Sequence, residues 1–404
     1  MWIVIGWLLI QFCFEWYLSR INLAYALKKD HHIPTILQDI ITPEKFEKSK
    51  AYLRENTDFS NIKSVFSFLL SLPILIWFLP VLEKWTQHWS SNYYWQGLVF
   101  FGVIYLVNLI MGLPFSWYEN FRIEQKFGFN KMTITTFWSD LLKNIITTLI
   151  LGALFLTGVL WALQSTVWWW QFTLLVIAFF FVSMWIGPTI LMPLFNKFSP
   201  MEEGEMKTAL QQFAQENKIP MKKIFVMDAS KRSSHGNAFF TGIGPTQRLV
   251  LFDTLLSYPT EEVLSIIGHE WGHWKHRDVW RQLGVIVILV TALFYTANLL
   301  FNANWIQAIF HVSEGYTVLY YTMMLVSPIL FFIQPIMNYF IRMQEFAADS
   351  FSARLIKSPV PGMQSLKRII SDNLSNLHPH PLYRVWYYTH PAPEERIQAL
   401  KELG

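Results

Sequence analysis

The sequence predicts an α-helical integral membrane protein: seven transmembrane helices and one small cytoplasmic α+β part. Three observations carry that class. Of the 404 residues, 53% are hydrophobic and 15% are charged, whereas ordinary soluble domains carry about a quarter charged residues. Seven apolar stretches reach the roughly 20 residues that a helix needs to cross a bilayer. Between the fifth and the sixth lies a long polar segment, residues 194–280, that mixes helical and strand patterns. The formal net charge of +4 comes without any basic run interleaved with aromatics, which argues against a nucleic-acid partner. The lone cysteine, Cys13, excludes an intrachain disulfide and a thiolate metal cluster, and in its apolar run it reads as a small buried hydrophobe.

The spans fall near residues 2–18, 64–82, 96–115, 145–163, 168–193, 281–303 and 318–340. The first has no basic start and no small-residue cleavage site, so it reads as a span rather than a signal peptide, although it carries Gln11 and Glu15. Lysine and arginine set the orientation. Arg20, Lys28, Lys29, Lys45, Lys48, Lys50 and Arg54 follow the first span, and Arg122, Lys126 and Lys131 follow the third. The opposite loops, 83–95, 164–167 and 304–317, hold Lys84 alone. The positive-inside bias therefore places 19–63, 116–144, 194–280 and the tail from 341 in the cytoplasm. Trp161, Trp168, Trp169 and Trp170 are expected at the opposite interface, with each indole half in hydrocarbon. Pro73, Pro80, Pro114, Pro188, Pro328 and Pro335 predict kinks. Asn108, Asn144, Asn298, Gln334 and Asn338 at membrane depth allow two readings, hydrogen bonds between helices or the lining of a wet cavity.

Four regions follow: 1–193 with five spans, 194–280 as the soluble insert, 281–340 with two spans, and 341–404 as a cytoplasmic tail. Within the insert, "EEGEMKTALQQFAQENK" has Met206, Leu210, Phe213 and Ala214 at helical spacing. "KKIFVMD" and "RLVLF" read as short strands and "GIGPTQ" as a turn. Asn237 to Thr241, with Ala238 and Phe239, reads either as an edge strand whose free backbone could pair with an extended peptide or as an ordinary hairpin strand. A helix begins at Thr260, after Pro259 and with Glu261 and Glu262 in its first turn. Nothing in the pattern stops it before the apolar run at 284, which predicts one continuous helix entering the bilayer.

That helix carries "GHEWGH". His269 and His273 are four apart and share a face, a spacing that lets two imidazoles hold one zinc ion, and Glu270 stands beside the first, placed to take a proton from water. A catalytic zinc site takes a third protein ligand. The sixth span carries the chain out and the seventh returns it near 341, just before "RMQEFAADSFSARL". An antiparallel hairpin of these spans brings Glu345, 72 positions beyond His273, alongside the two histidines. Asp349, one turn further, suits the far nitrogen of a ligand histidine.

The sequence resembles the type I CAAX prenyl endopeptidases, integral-membrane zinc metallopeptidases of the gluzincin kind. The likeness runs through "PLFNKFSPMEEGEMK", "IFVMDASKRSSHGNAFFTGIG", "TLLSYPTEEVLSIIGHEWGHWKH", "QEFAADSFS" and "NLHPHPLYRVWYYTHPAPEERIQAL", essentially the whole chain. The resemblance implies one Zn2+ on His269, His273 and Glu345, with Glu270 as catalytic base and Asp349 orienting a histidine. It also implies substrate pairing at Asn237, a place for His390 facing the reaction intermediate, and Arg396 bracing the site. Seven tilted helices enclosing a chamber belong to the same expectation, with a peptide substrate, prenylated or not, and the lipid bilayer as partners. His235, His378 and His380 are expected to be structural. The short loop at 304–317 and a "KELG" ending without a dilysine signal favour a bacterial inner membrane over the endoplasmic reticulum. Two other readings stand beside this one, a quality-control zinc protease and a transporter or channel with structural zinc. Glu270 separates the last from the enzymes, because a structural zinc site has no use for it.

Overall fold

The structure is a computed structural model; it describes residues 2–219, 223–241 and 248–403. Seven helices among these are long and apolar enough to cross a membrane. We number them within the full set as α1 (Trp2–Ala26), α2 (Pro43–Trp89), α3 (Tyr93–Phe127), α4 (Ile134–Ala162), α5 (Trp168–Phe195), α8 (Asp278–Asn302) and α9 (Gly315–Ile356). The shorter helices numbered with them are α6 (Glu205–Glu216), α7 (Thr260–His276), α10 (Val360–Asp372), α11 (Pro381–Tyr387) and α12 (Pro393–Lys401); a six-residue helix, Trp305–Phe310, lies between α8 and α9 and is left unnumbered.

The spans start where the sequence can cap them. Thr42 accepts from Lys45 N ahead of Pro43, Asn92 accepts from Tyr94 N and Trp95 N, and Thr133 accepts from Thr136 N. Of the six prolines expected to kink the spans, three stand in or before π-helical turns, while Pro328 and Pro335 lie inside the uninterrupted helix α9. π-helical turns follow Pro73 and include Pro188, at Ile74–Phe78 and Gly187–Leu191, and a third at Glu119–Glu124 follows Pro114. In α9 half of the most apolar window is buried, against 6–17% in the other six spans. This helix is the most enclosed of the seven and packs against α1, α7 and α8. At one end α2, α3 and α9 meet in a core of Leu75, Leu79, Phe100, Ile104, Tyr316 and Tyr321. Further along, the same three helices separate around a cavity lined by Lys63, Ser67, Ser71, Asn108 and Tyr320.

That cavity decides one of the polar residues. Asn108 lines it and donates back to Ile104 O of its own helix. Thr148 bonds Asn144, and Asn302 bonds Asn298, each pair within one helix. Asn338 reaches across to Trp386 O. Two expectations are corrected here. Trp168 is buried against Phe172 and Phe301 rather than lying at the interface, while Trp161 and Trp170 do remain exposed. Cys13 is exposed on α1 rather than buried, outside the contacts that α1 makes with α2, α9 and α11.

The insert folds as α6 on a four-stranded sheet of order β1-β2-β4-β3. The strands are β1 (Phe198–Pro200), β2 (Ile224–Met227), β3 (Ala238–Thr241) and β4 (Arg248–Phe252). β1 pairs antiparallel with β2, β3 pairs antiparallel with β4, and β2 runs parallel to β4. Leu249, Val250 and Leu251 are wholly buried, as a central strand covered on both faces requires. Their neighbours Leu210, Phe213, Val263, Ile267 and Trp271 join the sheet to α6 and α7. β1 was not foreseen, and the expected turn at 242–247 lies outside the described residues.

The expected continuous helix is broken. α7 ends at His276 and α8 begins at Asp278, because Arg277 takes a left-handed conformation with φ 58° and caps α7. Hydropathy is blind to such a break, since one residue outside the helical region leaves the apolar pattern on either side intact.

Candidate active site

Glycine brings two helices together here. Gly268 and Gly272 each precede a histidine, one turn apart on α7. A Cβ at Gly268 would stand 2.7 Å from Ser352 Oγ, and one at Gly272 would stand 3.0 Å from the Cα of Ala348. Without those side chains α7 and α9 cross nearly backbone to backbone, as small residues allow between packed helices. Ser352 Oγ donates to Ser265 O at 2.8 Å across the same contact. Arg368 of α10 holds the other end of α7 through two hydrogen bonds to Glu262, of 2.8 and 2.9 Å.

The crossing makes three donors converge. The two Nε2 atoms of His269 and His273 are 3.1 Å apart. Glu345 puts Oε2 3.4 Å from His269 Nε2 and Oε1 3.2 Å from His273 Nε2. A tetrahedral ion with nitrogen and oxygen ligands at about 2.0–2.1 Å has ligand–ligand edges of about 3.3–3.4 Å. The nitrogen–nitrogen distance and the distance from each nitrogen to a Glu345 oxygen, a different one for each ring, all lie close to that edge length, so the residues present fit a metal ion with the fourth position open. This brings together His269, His273 and Glu345, and among the described residues it is the one such cluster.

Each imidazole is held from behind. Asp349 Oδ1 lies 2.8 Å from His269 Nδ1, and Arg396 binds Asp349 in a fork, with Nε and one terminal nitrogen each at 2.7 Å. Arg396 also stands 3.5 Å from Glu345 and is almost buried, with 12% of its side chain exposed. It therefore braces the site through Asp349 and does not face the open position. Asp278 Oδ2 lies 2.9 Å from His273 Nδ1 and is itself buried. The sequence reading missed Asp278. On a continuous helix, positions 273 and 278 would diverge; the turn at Arg277 folds the aspartate back onto the ring. The carboxylates fix which ring nitrogen carries hydrogen and leave both Nε2 lone pairs facing the centre. They also favour protonation when no ion competes. Burial opposes charge on His269, but the hydrogen bonds to Asp349 and Glu345 prevail and hold its pKa up at about 9.

Glu270 shares α7 with the two ligand histidines. Burial pushes its carboxyl above the ordinary glutamate range, against the pull of the two histidines. His390, in the bend between α11 and α12, places Nδ1 2.7 Å from Glu345 Oε2 with 61% of its side chain exposed. The described strand starts at Ala238, and Asn237 leads into it by accepting from Phe252 N at 3.0 Å. Its Oδ1 accepts from Ala238 N at 2.8 Å. β3 ends the sheet, with Phe240 packed 5.8 Å from the Trp271 ring on α7. In an antiparallel pair, hydrogen-bonded residues alternate. Since Asn237 bonds Phe252, Phe239 turns its backbone to Val250, and the outward groups belong to Ala238 and Phe240. Phe239, expected among the pairing residues, therefore has its amide and carbonyl engaged inside the sheet. His235, His378 and His380 bond Asn373, His32 O and Leu382 N, respectively.

Comparison with known proteins agrees along the whole length. Residues 23–197 match the family described as CAAX prenyl protease N-terminal, five membrane helices. Residues 200–404 match peptidase family M48. The chain is 31% identical to CAAX prenyl protease 1 of Saccharomyces cerevisiae over 98% of its own length and 94% of that protein. It is 33% identical to the CAAX prenyl protease 1 homolog of Dictyostelium discoideum over 98% and 95% of the two chains. The crystal structure of S. mikatae Ste24p superposes with a TM-score of 0.92 at 29% identity, covering 98% of both chains.

Proposed function

The chain belongs to peptidase family M48, and we propose that it is a membrane-embedded zinc endopeptidase cleaving CAAX-type prenylated peptides, or other membrane-proximal peptides, at the cytoplasmic face. The observation that carries the reading is the convergence of His269, His273 and Glu345 donors, with Glu270 on the same helix as the two histidines. Zinc bound there would lower the pKa of a water molecule toward about 7 and polarise the substrate carbonyl.

The remaining work falls to the chain's own residues. Asp349 and Asp278 hold the two imidazoles in the tautomer that ligates. The outward carbonyl of Ala238 and the outward amide and carbonyl of Phe240 pair with an extended peptide, and Asn237, whose Oδ1 is occupied by Ala238 N, offers its amide hydrogens to the same strand. Glu270 takes the proton of the attacking water and passes it to the leaving amine; its raised pKa suits both tasks. His390 turns its free ring nitrogen toward the carbonyl oxygen on which charge develops. Arg396 keeps Asp349 in place.

The cytoplasmic placement rests on the basic loops, and a bacterial inner membrane on the short loop at 304–317. The relatives named above are eukaryotic, so prenylation of the substrate is the open chemical variable. Incubation with matched prenylated and unprenylated peptides, followed by mass spectrometry of the products, measures it. For the enzyme itself we expect Glu270→Gln to keep its zinc and lose peptide hydrolysis. A variant that cleaves at the normal rate would remove Glu270, and with it the peptidase mechanism.

A further inference from the structure

Four residues of α9, Asn338, Arg342, Glu345 and Asp349, follow one another at spacings of four, three and four, which keeps them on one stripe of the helix. The last two belong to the metal clasp. The first two point their donors at a different target, the end of α11. Asn338 Nδ2 donates to Trp386 O at 2.6 Å. One terminal nitrogen of Arg342 donates to Tyr388 O at 2.7 Å and, more weakly, to Val385 O at 3.4 Å. α11 has only seven residues, so its last carbonyls have no partner within the helix. Asn338 and Arg342 supply those partners, and the arginine charge suits the negative end of a helix.

Two residues after Tyr388 comes His390. With 61% of its side chain exposed, packing does not hold it, yet its Nδ1 is 2.7 Å from Glu345 Oε2. Its place must come from the backbone on either side. After it, Pro391 leads into α12, where Glu395 caps Ala392 N at 3.0 Å. Before it, the fixed points are the carbonyls held by α9. We propose that Asn338 and Arg342 are positioning residues for His390: the helix that supplies the carboxylate ligand also sets, one and two turns earlier, the bend that delivers His390 to the substrate side of that ligand. The inference rests on the peptidase reading given above. It also gives the buried polar Asn338 at membrane depth a purpose.

The test is a double-mutant cycle on the full-length protein in detergent. Arg342→Gln is expected to lower kcat on a quenched fluorescent peptide by roughly 10–100-fold, the cost of a misplaced catalytic group, with KM within about twofold and zinc content unchanged. Arg342→Lys, which retains a charged donor, recovers part of that loss. In a His390→Ala background, Arg342→Gln should add less than about twofold, because the group it positions is gone. The rate of carbethoxylation of His390, read by mass spectrometry, should rise several-fold in Arg342→Gln as the ring is released from Glu345. Asn338→Ala, which removes the other tether and keeps the charge, supplies the same readouts should Arg342→Gln not fold. An equal loss in both backgrounds, or an unchanged carbethoxylation rate, overturns the proposal. If the unmodified chain cleaves no peptide, the peptidase reading fails, while the carbethoxylation arm still decides the positioning.

Discussion

At the scale of the residue, the two ligand histidines are supported unequally. His269 leans on an aspartate that a buried arginine locks in a fork, while His273 leans on one that a single left-handed residue returns to it. Asp278→Asn should therefore weaken zinc binding by about 10–100-fold without unfolding the chain, which a competitive chelator titration measures. Metal affinity should also depend on pH. His269 in the ion-free chain binds a proton below about 9, and His273 is raised as well, so ligation must expel protons. Affinity is expected to fall as pH drops from 9 toward 6, by up to roughly tenfold per unit for each proton displaced, and an affinity flat over that range would contradict the pairing. His269, His273, Glu345 and Asp349 were legible because each pair is four apart on a helix, and a helix converts that spacing into a shared face. Asp278 was not, because its role depends on the φ of Arg277, which neither a glycine nor a proline announces.

At the scale of the element, the site exists because α7 and α9 approach without side chains between them at Gly268 and Gly272. The neighbour at Gly272 is the backbone of Ala348, which cannot rotate away. Gly272→Val should force the helices apart, cost about 1–3 kcal/mol of stability and lower zinc content, as read by thermal unfolding and metal analysis on the same sample. Full zinc at normal stability in that variant would mean that the close crossing is not needed. The small residues were visible in "GHEWGH", but their use was not, since a glycine pair acquires meaning only from the helix that fills the gap. β2 and β4 were readable from runs of branched and aromatic residues. The edge position of β3 was one of two readings, and only the sheet order selects it.

At the scale of the whole molecule, seven spans were readable because lipid demands long apolar helices. The return of the tail onto α9, which brings His390 and Arg396 to the clasp, was not readable from local pattern, because nothing near 390 or 396 in the chain marks the contact. The orientation can be tested directly. Cys13 is the only cysteine, so Cys13→Ser clears the background for single cysteines at Lys48 and at His311. A membrane-impermeant thiol reagent should reach these two from opposite sides; labelling from one side contradicts the assignment from the basic loops. The central claim is that two helices with adjoining membrane segments carry three ligands to one ion. Anomalous diffraction at the zinc edge tests it most directly. One peak within about 2.0–2.2 Å of Nε2 of His269, Nε2 of His273 and a Glu345 oxygen is the predicted result. A peak elsewhere, or one whose coordination leaves Glu345 out, would contradict the account.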